Sequence, residues 1–382
     1  MTTPTRAANT AEIKSLTGLR GIAAAYVVAF HFTGNGEVGS GAVRTFMSHG
    51  YLAVDVFFVL SGFVMAINYG PKFSHGFQSE NYLVFLVKRV GRVYPLFLAT
   101  TLVCAALSVV DPGMEGGLTG WTLATNLLMI QAWGLSYSLN YPGWSISTEF
   151  SAYLLFPVLA MTLLGPRRAV AFMTSSLAVG LLIFVATRSA AELHEGIGHT
   201  GPLNVWASDT LYPVLRCLAG FSLGMLAWRA SNVPALQRLS RHPAAGLALL
   251  VVMATLIGMP DTDVLLVLLC VPLMIVLAAQ QTPVARWLAW QPIHWLGVIS
   301  YSLYLVHYPV RWSLAPVVQA ALDALHVPFR GAVLSTLYVL LSLGVATIAY
   351  HAIEKPGRDL SRTFLRGRRQ LAVAAVPTAR EG

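Results

Sequence analysis

Two ionisable residues stand in a stretch that otherwise avoids charge. Leu16–Phe32, LTGLRGIAAAYVVAFHF, has an apolar helical pattern, yet it carries Arg20 near its start and His31 near its end. The eleven-residue spacing is three full turns plus about 20°, so both side chains leave one helix face, about 16 Å apart along the axis. A fixed cation and a titratable base on one intramembrane face are costly unless they serve a function. Arg89 and Arg92, spaced i, i+3, also share a face and can grip one anion. Further ionisable and hydroxyl groups interrupt other apolar runs. They are Asp55 in GYLAVDVFFVLSGF, Ser145 and Glu149 in GWSISTEFSAY, Arg216, and Tyr301, Tyr304, His307 and Tyr308 in ISYSLYLVHYPV.

Composition defines what must position these groups. The chain has 382 residues, 56% hydrophobic and 11% charged, which no soluble fold requires. This predicts an all-α, polytopic membrane helix bundle. Apolar runs long enough to span fall at about 17–34, 51–69, 91–110, 147–165, 168–187, 208–229, 244–260, 263–280, 293–312 and 331–352. Residues 121–134 form a shorter apolar stretch, read as a re-entrant or interfacial helix rather than a span. With about ten transmembrane helices and both termini cytoplasmic, twenty of the twenty-five Lys and Arg residues fall on the cytoplasmic side. Counting 121–134 as a span would reverse every later segment and move most of these cations outside. The expected organisation is a cytoplasmic lead at 1–15, a transmembrane domain at 16–356 and a basic cytoplasmic tail at 357–382 held by anionic lipid. The apolar run after the polar lead holds functional-looking groups, so it is expected to be retained rather than cleaved as a signal peptide.

The formal charge of +9 comes from short clusters between apolar spans, not from a continuous stripe, which argues against nucleic acid as a partner. Cys104, Cys217 and Cys270 lie singly in apolar segments, so neither a disulfide framework nor a metal site is expected. Gly220 and Gly224 form a small-xxx-small pair suited to helix packing.

This topology fixes the depth of each polar group. His31, Asp55, Glu149 and the late part of the ninth helix all fall toward the outer face, whereas Arg20, Arg89 and Arg92 fall at the inner mouth. A donor anchored by phosphates inside and reactive about 15 Å further out suits that layout, and coenzyme A has this shape. Plainer roles compete with the chemical ones. Asp55 can simply neutralise an Arg or His, Glu149 can cap its helix, and Arg216 can pair with an acid or line a cavity. His307 reads as a satisfied structural group, while Trp121, Trp133 and Trp144 read as interfacial anchors; Tyr301 and Tyr304 lie too deep for that. A proton-coupled transporter would also use buried His, Asp, Glu and Arg, but the inverted repeats and paired broken helices it calls for are not visible.

At these residues the sequence resembles the acyltransferase-3 family of integral-membrane O-acyltransferases, over about Ser15 to Pro356. LRGIAAAYVVAFH is similar to its arginine, ten residues, histidine motif, matching Arg20 and His31. GYLAVDVFFVLSGF resembles the second-helix block. KRVGRVYPLF resembles Arg-x-x-Arg followed by Tyr-Pro, and GWSISTEFSAYLLFP the Trp-Ser-Leu-Ser-x-Glu block. SYSLYLVHYPV and HAIEKP resemble the late-helix block and the terminal Glu-Lys/Arg-Pro. Many members carry a second Glu after the first, where this chain has Phe150. No esterase domain of the kind fused to some members is expected after the tail.

The resemblance implies acyl-CoA, acetyl-CoA above all, as a donor substrate rather than a resident cofactor. It implies a hydroxyl acceptor on a glycan, a lipid-linked sugar or a small molecule, and a place in a bacterial cytoplasmic (inner) membrane. On that basis Arg89 and Arg92, with Arg20, are expected to bind the donor phosphates. His31 is expected to act as general base, with Glu149 orienting its imidazole. Tyr and Ser residues such as Ser145, Tyr301 and Tyr304 are expected to support the site, with Asp55 and Arg216 beside them. Acceptor choice is expected in the loops 35–50, 111–146 and 188–208.

Overall fold

A computed structural model describes residues 12–33, 40–110, 118–192, 201–205, 210–326 and 330–374, and all elements among them are helical. The first half comprises α1 (Lys14–Phe32), α2 (Gly41–Ser48), α3 (Ala53–Phe73), α4 (Ser79–Val110), α5 (Gly120–Leu127), α6 (Gly143–Leu163), α7 (Arg168–Glu192) and α8 (Tyr212–Ala230). The second comprises α9 (Pro234–Ser240), α10 (Ala245–Ile257), α11 (Asp263–Ala279), α12 (Pro283–Leu288), α13 (Gln291–Val298), α14 (Ser300–Ala324), α15 (Arg330–Ala349) and α16 (Lys355–Ala374). Among the described residues, each of the ten apolar runs expected to span is largely helical, the ninth being broken at Ile299 between α13 and α14.

By length and apolarity, six stretches among the described residues can cross a membrane: Lys14–Phe32, Gly41–Phe73, Ser79–Val110, Gly143–Leu163, Arg168–Ser189 and Gly331–Arg368. The pair α9 and α10 passes the same test jointly but bends by 81°, and α11 is a shorter apolar helix. Large apolar side chains face outward, among them Phe172 at 72% exposure and Ile348 at 69%. Surface of that kind suits contact with hydrocarbon rather than water.

Helices α1, α3 and α8 form the spine, because their buried residues contribute to both large apolar clusters. Helix α3 presses against α8 without intervening side chains: a Cβ on Gly62 would strike the Phe221 carbonyl, and one on Gly224 would strike the Val59 carbonyl. Gly224 therefore serves the close packing that its spacing from Gly220 suggests. Helix α1 meets α13 in the same way through Gly21 and Gly297.

The segment between α5 and α6 is not a surface loop. Gln131, Leu139 and Asn140 are at most 1% exposed. Asn126 accepts from Leu139 N at 3.0 Å and donates to the Tyr137 carbonyl at 2.9 Å, and Asn140 donates to the Leu305 carbonyl at 3.0 Å. These side chains replace the water that buried backbone would otherwise need, so α6 begins inside the bundle. Residues 121–134 form only the eight-residue α5 and the turns after it, about 12 Å of helix and too short to cross a bilayer. The basic stretch after Pro356 is helical as far as Ala374. It continues α15 through a π-helical turn at Tyr350–Glu354 and packs on α4, with Gly357 against Pro95 and Gly91 against Ser361.

Candidate functional site

Val54 and Tyr304 each line two neighbouring cavities of the bundle. The larger, about 100 Å³, has Arg20, Arg89, Arg92, Glu149, Tyr153 and Tyr301 in its wall. The smaller, with room for little more than one or two water molecules, is lined by His31, Arg216, Trp144, Tyr141 and Asn204. They are called here the arginine cavity and the histidine cavity.

Three helices bring the arginines together. Arg20 comes from α1, where its Nε donates to Ser300 Oγ at 2.8 Å and its Nη2 to the Gly297 carbonyl at 2.7 Å. These bonds tie it to the α13–α14 junction, made possible by the glycine contact between α1 and α13. Arg89 and Arg92 project from one face of α4, as their spacing requires. Arg89 reaches Tyr69 OH at 3.5 Å and stands 5.6 Å from the centre of that ring, while its Nε is buried with no protein partner. Arg92 and Arg358 lie within electrostatic reach of Arg20. A cationic group with so few acids around it favours an anion. Glu149 counters part of this charge; its Oε1 accepts from Tyr153 OH at 2.6 Å. Glu354 counters more, accepting from Ser302 Oγ at 2.7 Å and Arg358 Nη2 at 3.1 Å.

The histidine cavity is organised around a pair of imidazoles. His31 Nδ1 lies 2.8 Å from His307 Nε2. The rings are inclined by only 12° with centroids 5.1 Å apart, so they meet edge to edge in nearly one plane, as an N–H···N bond requires. The other nitrogen of His307, Nδ1, is buried without a hydrogen-bond partner. The two rings share one proton between their facing nitrogens, and with that proton on Nδ1 of His31 its Nε2 keeps a lone pair toward the cavity. His307 is fully buried, whereas His31 is half-buried and faces the cavity. Arg311 fixes the end of α1 by donating to the His31 carbonyl at 2.7 Å.

Asp55 and Arg216 form a buried pair in the adjoining wall. Arg216 Nε donates to Asp55 Oδ1 at 2.9 Å and Nη2 to Oδ2 at 2.5 Å, with both side chains 1% exposed. The bidentate fork is the geometry that best compensates desolvated charges. Ser145 Oγ and Tyr304 OH, 2.7 Å apart, lie where the two cavities adjoin. Tyr301 donates to the Val93 carbonyl at 2.5 Å.

The sequence brings Arg20, Arg89 and Arg92 to one cavity and the structure places them there together. It pairs Glu149 with His31, and here the structure differs: Glu149 lines the arginine cavity, and the nitrogen partner of His31 is His307. The cause is the inserted segment before α6, which starts that helix inside the bundle and so carries Glu149 deeper than an interfacial helix start would. His307, read from sequence as a structural group, is the ring hydrogen-bonded to His31. Glu354 and Arg358 carried no assigned role; the HAIEKP block was the available signal for Glu354. Of the loops expected to choose the acceptor, residues 35–39, 111–117, 193–200 and 206–208 lie outside the described residues.

Comparison with known proteins agrees with this geometry. A family profile described as an acyltransferase domain matches residues 13–351. The chain is 31% identical over 242 residues to the "Acyltransferase MdmB" of Streptomyces mycarofaciens, covering 58% of this chain and 60% of that one. It is 24% identical over 382 residues to the "Putative peptidoglycan O-acetyltransferase YrhL" of Bacillus subtilis, covering 93% of this chain and 56% of that one. It is 25% identical over 373 residues to the "Putative membrane-bound transacylase BcsY" of Komagataeibacter xylinus, covering 91% and 83%. The chain thus spans little more than half the length of the first two relatives. No solved structure matches. With the profile matched across nearly its whole length and the motif arginines and histidine gathered at two adjoining cavities, the chain belongs to the acyltransferase-3 family of membrane acyltransferases.

Proposed function

We propose that the protein is an O-acyltransferase of a bacterial cytoplasmic membrane. It moves an acyl group, acetyl in the simplest case, from acyl-CoA in the arginine cavity to a hydroxyl of a carbohydrate or related acceptor in the histidine cavity. The observation that carries this is the shared wall. Val54 and Tyr304 alone line both a cationic cavity fit for phosphates and a cavity holding an oriented imidazole with a free nitrogen. Relatives named as a peptidoglycan O-acetyltransferase and a membrane-bound transacylase support the same chemistry.

Arg89 and Arg92, with Arg20, hold the donor phosphates, and the pantetheine arm carries the thioester toward Tyr304. His31 Nε2 accepts the proton of the acceptor hydroxyl as its oxygen attacks the thioester carbon. The Nδ1–H bond to His307 holds the ring in the tautomer this needs. Tyr304 and Ser145, where the cavities adjoin, are placed to donate to the oxyanion of the tetrahedral intermediate. Collapse breaks the carbon–sulfur bond, and the proton on His31 passes to the departing thiolate. Glu149 stays with Tyr153 among the arginines, where it balances charge. About ten crossings with both termini cytoplasmic put the arginine cavity inside and the histidine cavity outside, in keeping with the twenty basic residues on the cytoplasmic side.

The test uses purified protein and radiolabelled acetyl-CoA. Acetyl-CoA is expected to raise the melting temperature of the detergent-solubilised protein, and label is expected in envelope glycan from an acceptor-bearing strain but not with His31→Ala. Normal turnover by His31→Ala removes the base from the scheme. Stable label on the protein without acceptor replaces direct transfer with an acyl-enzyme.

A further inference from the structure

The basic stretch after Pro356 takes no part in the transfer scheme, yet the fold sets it against the donor site. Between Lys355 and Ala374 stand six basic residues and a single acid, Asp359. Helix α16 packs on α4 at the turn that carries Arg89 and Arg92. A Cβ on Gly91, which lies between those arginines, would strike Ser361 Cβ and stand 3.2 Å from the Gly357 carbonyl, while one on Gly357 would strike Pro95. Glycine on both sides is what lets the helices approach so closely. Arg358, next to Gly357, is thereby held within electrostatic reach of both Arg20 and Arg92. Its Nη2 donates to the buried Glu354 at 3.1 Å. Like charges gathered in this way repel one another until an anion joins them.

Every fourth residue of a helix returns to nearly the same face, so Arg358, Arg362 and Arg366 form one row, about 12 Å long by helix rise. The row begins beside the donor cluster and leads away from it along α16. Exposure rises in the same direction: Arg358 is 25% exposed and Arg362 64%, and Arg366 is exposed. Asp359 meets Arg362 at 3.3 Å with both side chains in solvent, a pair weak enough for a phosphate to displace.

Coenzyme A carries two kinds of phosphate, a diphosphate between pantetheine and adenosine and a 3′-phosphate monoester on the ribose. With the diphosphate at Arg89 and Arg92 and the pantetheine arm turned toward Tyr304, the adenosine end points away from Tyr304. The monoester there carries close to two negative charges and suits the forked donors of arginine.

We propose that the row Arg358, Arg362 and Arg366 is a second phosphate site for the donor, which takes the 3′-phosphate of coenzyme A and so favours it over 3′-dephospho-CoA. This rests on acyl-CoA being the donor, and the test separates the two.

Full-length protein in nonionic detergent micelles is titrated with CoA and with 3′-dephospho-CoA, and affinity is read from the rise in melting temperature with ligand concentration. The wild type is expected to bind CoA about tenfold more tightly, a charge-assisted contact discounted for partial exposure, and added salt is expected to shrink that advantage. Combining Arg362→Gln with Arg366→Gln, both at the surface, brings CoA to within about twofold of dephospho-CoA and leaves the affinity for dephospho-CoA as in the wild type. Equal affinities in the wild type overturn the second site and leave the donor reading standing, and so does a double variant that weakens both ligands by the same factor. A double variant changed only in its retention of phosphatidylglycerol assigns the row to lipid headgroups and overturns the inference likewise. A wild type whose melting temperature rises with neither ligand defeats acyl-CoA as donor, and the second site with it.

Discussion

Replacing His307 by Phe removes one hydrogen-bond acceptor and little else. The ring is fully buried, with Phe32 and Tyr304 centroids at 5.8 and 6.1 Å, so an aromatic of similar volume keeps the packing. What disappears is the 2.8 Å bond to His31 Nδ1. Its loss leaves a largely buried N–H without a partner, at a cost of about 1–3 kcal/mol, and frees the ring to rotate or to place its proton on the nitrogen that must act as base. At about 1.4 kcal/mol per decade, kcat/KM for transfer should fall about 5- to 150-fold, mostly in kcat because the donor site is untouched. His307→Gln, whose carbonyl oxygen can still accept, should recover most of the loss. His31→Ala should cost more, about 10²- to 10⁴-fold. The assay is initial-rate transfer of labelled acetyl to the envelope glycan, with the melting temperature checked for each variant. Wild-type turnover in His307→Phe refutes the orienting role. A His307→Gln enzyme as inactive as His31→Ala refutes the assignment of donor and acceptor, since His307 would then be doing the chemistry itself.

Other outcomes follow from the same geometry. Arg89→Gln and Arg92→Gln should each raise the KM for acetyl-CoA about 10- to 100-fold by removing a charge-assisted phosphate contact. The same variants should leave the rate with S-acetyl-pantetheine, which lacks the nucleotide phosphates, unchanged. Asp55→Ala strands the Arg216 charge in the core and should cost about 3–5 kcal/mol, seen as a large drop in melting temperature. The double variant Asp55→Leu, Arg216→Met should recover most of that stability. Gly297→Val puts a side chain against the Thr17 carbonyl and should prise α13 from α1, lowering the melting temperature and the affinity for acetyl-CoA together, because the Gly297 carbonyl and Ser300 anchor Arg20.

How far the site could be read from sequence depends on whether its geometry is local. The spacing of Arg20 and His31 fixes a shared face of α1, and both side chains meet the chain around α14, at Ser300 and His307. The i, i+3 spacing of Arg89 and Arg92 likewise fixes a shared face of α4. Helical periodicity and apolar run length located the long apolar helices, since those signals are carried within each segment; α16, basic and of low apolar content, was read as a tail. Pairings across the bundle are not so carried: nothing in the run around Asp55 names Arg216 as its partner, 161 residues away. The depth of Glu149 was misplaced for the same kind of reason. It depends on Asn126, Gln131 and Asn140 satisfying an inserted backbone segment, and polar residues in a connection look the same whether the connection is buried or wet.

The wall formed by Val54 and Tyr304 has a consequence for the cell as well as for catalysis. A passage open to both faces of a membrane at once would let protons run down their gradient. If the donor enters at the arginine cavity and the acceptor at the histidine cavity, the Val54 side chain and the Tyr304 ring are what stands between the two chambers, so the proposed handover needs no open channel.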